Sequence, residues 1–256
     1  AAGGGSSEES AASALLAAAG AWLRHEELET PRRARATEDP NAPWARADGW
    51  RIGRSGKRIV ALLDRGERVG IFLDKRPETV VASFAAARAG GAFVPVNPIL
   101  KAEQIGHILR DCNARVLVTS PERLPQITPA LEGCHDLRHV ILTRPLTTPV
   151  NLPAISIVLW ADLIATPHRA GHRVIDSDLL SILYTSGSTG LPKGVMVEQG
   201  SLVNLMADHG ERIALDQNGA MFNCMSLSFD AGNMTSLLPL YCGAALHFGE
   251  PGEGVI

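Results

Sequence analysis

Between residues 68 and 119 short apolar runs alternate with segments of helical spacing, and no other feature of the chain restricts its fold so strongly. Arg68–Leu73 reads as a strand and is followed by Pro77–Arg88, which opens on Pro-Glu and stops at Gly90-Gly91, the punctuation of a helix. Ala92–Val96 reads as the next strand, Ala102–Cys112 as a helix and Arg115–Thr119 as a third strand. Strands joined by helices of this length build crossover units, so the expected fold class is α/β, with largely parallel sheets flanked by helices. Downstream, strands are predicted at Val140–Thr143, Leu179–Tyr184, Val195–Glu198 and around Phe222, and a loop at Trp160–Leu163. Helices are predicted from Ser201, with Gly200 or Ser201 near the cap, and over Ala231–Leu240. Upstream, Ile52–Arg65 can form a helix that turns Ile59, Val60, Leu62 and Leu63 to a core, and Ala11–Leu28 another. Ala1–Ser10 has tail composition, and Thr30–Asp48, with three prolines, reads as a surface loop.

With 256 residues and 45% hydrophobic content, the chain can bury a sizeable core. Its net charge of −3, with both signs interspersed, lacks the basic field that nucleic-acid binders carry, so no nucleic acid is expected as a partner. Cys112, Cys134, Cys224 and Cys242 are widely spaced and form no Cys-x-x-Cys pair, which suits reduced thiols and a cytoplasmic location. No apolar run reaches the roughly eighteen residues that a membrane span needs. Ser6-Ser7-Glu8-Glu9-Ser10 stands where a secretory signal would place lysine or arginine, so export is not indicated.

The chemistry concentrates at Tyr184-Thr185-Ser186-Gly187-Ser188-Thr189-Gly190-Leu191-Pro192-Lys193-Gly194, directly after the Leu179–Tyr184 strand. Glycines let backbone N–H groups approach an anion, the hydroxyls of Thr185, Ser186, Ser188 and Thr189 donate to its oxygens, and Lys193 adds a compact positive charge. Such a loop suits a polyphosphate. It is not a Walker A loop, because Pro192 precedes the lysine where glycine should stand and Gly194 follows it where a Mg²⁺-binding hydroxyl should stand. The competing possibility, a flexible Ser/Gly/Thr/Pro surface loop, does not account for the lysine or for the strand before it.

From Tyr184 to Val195 the chain resembles the signature loop of the adenylate-forming superfamily: acyl-CoA synthetases, luciferases and the adenylation domains of nonribosomal peptide synthetases. The resemblance continues, less specifically, through Arg68–Leu73 and Ala89-Gly90-Gly91-Ala92-Phe93-Val94-Pro95-Val96-Asn97-Pro98, and fades upstream of Arg68. It implies binding of ATP and Mg²⁺ by Thr185, Ser186, Gly187, Ser188, Thr189, Gly190 and Lys193, with Lys193 and Thr185 in catalytic roles. It further implies activation of a carboxylic acid as an acyl-adenylate with release of pyrophosphate. The acyl group would then pass to a phosphopantetheine thiol on coenzyme A or a carrier protein. The expected organisation is a tail, helix and loop over 1–48, a first α/β subdomain over 49–174 and the start of a second over 175–256. The family's later motifs and its small C-terminal domain would lie beyond Ile256, so this chain alone is expected to be inactive.

Ser228-Phe229-Asp230-Ala231 is similar to the Phe-Asp-Ala motif of peptide-synthetase adenylation domains, where the aromatic lines the acid pocket and the aspartate holds the substrate's ammonium. Phe229 and Asp230 are therefore the candidate substrate-binding residues, although an acid at this point can also serve as a helix cap. Two departures stand beside the match. Asn97-Pro98-Ile99-Leu100 replaces the Asp-Pro-x-Tyr-Pro common in peptide-synthetase domains and leans toward acyl-CoA ligases, and Gly232-Asn233-Met234 replaces Val-Trp-Glu. An amino acid is favoured as substrate, a fatty or aryl acid is the alternative, and a non-catalytic fragment that binds nucleotide or a partner is a third reading. The His135/His139 and His168/His172 pairs have helical spacing but lack a glutamate partner or a helical context, so no metal site is assigned.

Overall fold

The computed structural model describes residues 62–165, 174–186 and 191–248. The helices expected over 11–28 and most of 52–65, the loop over 30–48, and His168 and His172 lie outside these residues. At the end of the 52–65 segment, residues 62–65 are not helical, and Leu63 is buried in the core.

Nine strands and six helices follow among the described residues. They run β1 (Arg68–Phe72), α1 (Pro77–Arg88), β2 (Ala92–Pro95), α2 (Ala102–Asp111), β3 (Ala114–Thr119), α3 (Leu124–Leu131), β4 (His139–Leu142), β5 (Ser156–Leu159) and α4 (Trp160–Ala165). After residue 173 come β6 (Leu179–Ser186), β7 (Pro192–Glu198), α5 (Gln199–Ile213), β8 (Ala220–Asn223), α6 (Asp230–Tyr241) and β9 (Ala245–Phe248). The first seven strands form one sheet in the order β5-β4-β3-β1-β2-β6-β7. Every neighbouring pair in it is parallel except β6 with β7. β8 and β9 pair in parallel as a separate two-stranded sheet.

Two cores lie on opposite faces of the large sheet. Val69, Ile71, Val116, Val118 and Ile141 point to α1, with its Val80, Val81, Ala85 and Ala86, and to Met206 of α5 and Leu237 and Leu238 of α6. Phe72, Val94, Leu117, Val140 and Leu142 point the other way, to Ile105, Ile108 and Leu109 of α2 and Leu124, Ile127 and Leu131 of α3. This period-two division follows from the pleat and places helices on both faces, as parallel sheets require. Leu180 and Ile182 face opposite cores although both numbers are even, because β6 is irregular between Leu179 and Ser181.

The turn after α1 shows why two adjacent glycines stand there. Gly90 adopts φ +77°, the left-handed conformation that closes a helix, and a Cβ on Gly91 would meet the Glu67 carbonyl oxygen at 2.6 Å. Past β1 and β3, Arg123 ties three strand ends together. It pairs with Asp74 at 2.5 Å, donates to the Pro98 carbonyl at 3.1 Å and lies 4.8 Å from the centre of the Phe72 ring.

Several expectations need correction. Residues 156–165, expected to include a loop at Trp160–Leu163, form β5 and α4, with Trp160 and Leu163 buried. α3 and β9 were not predicted. β7 starts at Pro192 rather than Val195, and α5 starts at Gln199, with Glu198 rather than Gly200 or Ser201 at its N-cap. None of the described helices is long and apolar enough to cross a membrane.

Candidate active site

The site begins with the hairpin of β6 and β7. Antiparallel pairing sets Tyr184 opposite Gly194, Thr185 opposite Lys193 and Ser186 opposite Pro192. The two residues given catalytic roles in the sequence reading are therefore direct cross-strand partners at the loop end of the hairpin. Side chains of opposed residues share one face of a sheet, so the Thr185 hydroxyl and the Lys193 ammonium project to the same side. Both are exposed, and Lys193 forms no ion pair with any described residue. Gly187, Ser188, Thr189 and Gly190 lie outside the described residues, and Ser186 is placed only by its backbone pairing.

The hairpin occupies the sheet edge, where a strand can contain proline because one row of its backbone groups need not pair within the sheet. That explains how Pro192 can open β7. Gly194 has a steric reason: a Cβ there would meet Ile182 Cγ2 at 2.7 Å, Tyr184 Cζ at 3.1 Å and the Tyr184 hydroxyl at 3.3 Å. The glycine makes room for the tyrosine ring to lie across β7. From there the Tyr184 hydroxyl donates to Asp111 Oδ2 at 2.5 Å. Burial first, and then this bond, push the phenol well above its usual range, so it remains a proton donor. His107 Nε2 lies 3.1 Å from the Pro192 carbonyl oxygen. That oxygen can only accept, so the imidazole donates through Nε2.

The second part is the loop from β8 to α6. Phe229 is the N-cap of α6 and Asp230 its first residue, so Asp230 lies within the helix rather than at its cap. Its Oδ1 accepts the Ala231 N–H at 2.7 Å, and a carboxylate in the first turn is favoured by the helix dipole. Both side chains are exposed, Phe229 by half.

Three residues that the sequence reading did not assign fix this loop. Buried Asn223 accepts the Met225 N–H at 2.7 Å and donates to the Gly232 carbonyl at 3.1 Å and to the Ser236 hydroxyl. Asn233 donates to the carbonyls of Leu227 at 2.7 Å and Phe229 at 3.0 Å. A Cβ on Gly232 would lie 1.9 Å from the Ser226 carbonyl oxygen, so only glycine lets α6 approach the loop this closely. The departure from Val-Trp-Glu thus includes two residues that shape the Phe229–Asp230 turn. Lys75, after β1, donates to the Cys224 carbonyl at 3.0 Å and ties the first sheet's loops to this one. Among the described residues no three His, Cys, Asp or Glu side chains gather as a metal site.

An open, mostly parallel sheet with helices on both faces, whose edge hairpin carries Thr185 and Lys193, defines an α/β protein of the class whose ligand sites form at strand ends. The comparisons make the assignment definite: residues 56–254 match the family described as AMP-binding enzyme, and the chain belongs to that family. It is 32% identical over 201 residues to tyrocidine synthase 2 of Brevibacillus parabrevis, an alignment covering 76% of this chain and 5% of that one. It is 30% identical over 205 residues to L-proline--[L-prolyl-carrier protein] ligase of Streptomyces coelicolor, covering 77% and 37%. Among solved structures it resembles the anthranilate CoA ligase AuaEII in complex with anthranoyl-AMP, with TM-score 0.65 and 25% identity over 79% of this chain and 39% of that one. ATP-bound MatB from Rhodopseudomonas palustris shares the fold, with TM-score 0.63 and 19% identity over 77% and 38%. The chain thus spans well under half the length of these relatives.

Proposed function

We propose that the chain carries the phosphate-binding part of a site that activates a carboxylic acid with ATP. The observation that carries this reading is the Thr185–Lys193 cross-strand pair, which sets on one face a hydroxyl and an ammonium that has no ion pair among the described residues, next in sequence to the glycine- and hydroxyl-rich loop. Thr185, Ser186, Lys193 and the loop residues Gly187, Ser188, Thr189 and Gly190 would hold the β- and γ-phosphates. In the reaction, a substrate carboxylate oxygen attacks the α-phosphorus of ATP, an acyl-adenylate forms and pyrophosphate leaves with the electron pair of the broken P–O bond. The protein's part is charge neutralisation and orientation. The donor set of hydroxyls and one ammonium fits a magnesium-bearing polyphosphate, and Mg²⁺ would supply further neutralisation of the leaving group. A phosphopantetheine thiol on coenzyme A or a carrier protein would then take the acyl group as a thioester.

Asp230 supports an amino acid as the acid. A carboxylate keeps acceptor capacity after receiving one backbone N–H, and it can hold an ammonium by a charge-assisted bond. Asn97-Pro98 supports the alternative, an aryl or fatty acid passed to coenzyme A. Calorimetric titration of the chain with ATP–Mg²⁺ tests the nucleotide reading. Lys193→Ala is expected to weaken binding by on the order of tenfold or more, as loss of a charge-assisted contact does. Equal affinity of the two proteins would overturn it. Titration with aminoacyl- and aryl-sulfamoyl adenylates separates the substrate classes, and Asp230→Ala should weaken only the aminoacyl analogue.

A further inference from the structure

α2 contacts both strands of the phosphate hairpin, one on each side of the Thr185–Lys193 pair. His107 and Asp111 stand four residues apart on α2 and therefore share one face of the helix. Asp111 accepts from the Tyr184 hydroxyl on β6, and His107 donates to the Pro192 carbonyl on β7. Tyr184 and Pro192 are the residues immediately before Thr185 and Lys193, which face each other across the hairpin. The two contacts thus flank the pair that would meet the phosphates, Tyr184 one residue toward the base of the hairpin, opposite Gly194, and Pro192 one residue toward its loop, opposite Ser186. Gly194 leaves the space through which the tyrosine reaches the helix. α2 is itself anchored, since Ile105, Ile108 and Leu109 are fully buried between it and the sheet. A well-packed helix therefore backs a hairpin that lies at the edge of the sheet, with β2 as its neighbouring strand among the described residues.

We infer that His107 and Asp111 are positioning residues that clamp the Thr185–Lys193 pair through Pro192 and Tyr184 and hold it in register at the edge of the sheet. The inference rests on the phosphate-binding reading for its functional consequence and on the two hydrogen bonds for its structural one. Both would act through the hairpin rather than by touching the ligand. Their effect is preorganisation: a flexible lysine and threonine that are already aligned lose less freedom on binding, so the anion is held more tightly without a new contact.

Two measurements on the full chain test the clamp. Hydrogen–deuterium exchange in the ligand-free protein follows peptides spanning residues 184–196, with peptides from β4 and α3 as internal controls. Tyr184→Phe and His107→Ala are expected to speed exchange in the hairpin roughly tenfold while the controls stay unchanged. His107→Gln, whose amide can still donate, and Asp111→Asn, whose amide oxygen can still accept, should restore most of the protection. Titration with inorganic pyrophosphate and Mg²⁺ should then show affinity falling about as far in Tyr184→Phe and His107→Ala, and recovering in the conservative variants. Unchanged hairpin exchange in Tyr184→Phe and His107→Ala would overturn the clamp, as would faster exchange throughout the chain, which marks general destabilisation. Localised fraying with undiminished pyrophosphate affinity would overturn the positioning role. If the unsubstituted chain failed to bind pyrophosphate while the variants frayed the hairpin alone, the clamp would stand and the phosphate-binding reading would fall.

Discussion

Single atoms decide several features of this chain. At Gly232 there is no room for a methyl group against the Ser226 carbonyl, and that atom is backbone, so it cannot swing away. Gly232→Ala should cost about 1–3 kcal/mol by overpacking and loosen the turn that presents Phe229 and Asp230. Urea denaturation checks the stability, and the aminoacyl analogue's affinity should fall along with it. His139, at the start of β4, has a buried Nδ1 without a hydrogen-bond partner. Burial, followed by the nearby Arg115 charge, lowers its pKa from the usual 6.5. A depressed folded value means that the unfolded chain takes up the proton first. The associated stability is therefore full above about pH 6.5 and is lost as pH falls through the lower folded value. Unfolding midpoints at pH 7.5 and 5.5 should differ in favour of the higher pH, and His139→Gln should narrow the gap. At this scale the sequence offers candidates where chemistry leaves a composition signal, as at Thr185, Lys193 and Asp230, and the structure sets the first two opposite each other. It was silent about His107 and Asp111, because nothing local announces that they will meet Pro192 and Tyr184 more than seventy residues further along.

Helices and strands were legible where their ends carry strong punctuation. Pro77 with Gly90-Gly91 bounded α1, whereas β6 was read short at Tyr184, since it runs on through Thr185 to Ser186. α3 was missed because it holds Pro125 and Pro129 within eight residues, which reads as a loop although Pro125 occupies a first-turn position where its missing N–H costs nothing. β7 was read short because Pro192 and Gly194 interrupt a strand pattern, and only its edge position makes them acceptable. Packing between elements yields a test of the α2–sheet contact. A Cβ on Gly70 of β1 would meet Leu109 Cδ2 at 2.6 Å and Leu117 Cδ1 at 3.4 Å, so Leu109 fills the space that the glycine leaves. Leu109→Ala should cost about 2–5 kcal/mol and Gly70→Ala about 1–3 kcal/mol. The double variant should cost less than their sum, since the added methyl fills part of the cavity, and a double-mutant cycle in denaturant measures the difference.

For the molecule as a whole, the cysteines provide a built-in report on opening. Burial pushes the Cys112 thiol up to about 12, and Cys134 is raised for the same reason, whereas Cys224 is exposed. Because the thiolate is the reactive form, iodoacetamide at pH 8 should modify Cys224 at once and reach Cys112 only at the rate of unfolding. Mass spectrometry of timed samples checks the order, and early labelling of Cys112 would mean that the α2 face opens locally. The order in which the molecule assembles follows from the hairpin's place in the sheet. β6 and β7 are neighbours in sequence and can pair at once, but β6 joins β2 through Phe93 and Ser181, which lie far apart along the chain. Closing so long a loop carries an entropic cost that a local hairpin does not, so the hairpin is expected to form early and dock late. The part of the chain that would meet the nucleotide is then expected to take its final place late in folding, and a bound polyphosphate would act as a latch on the completed fold.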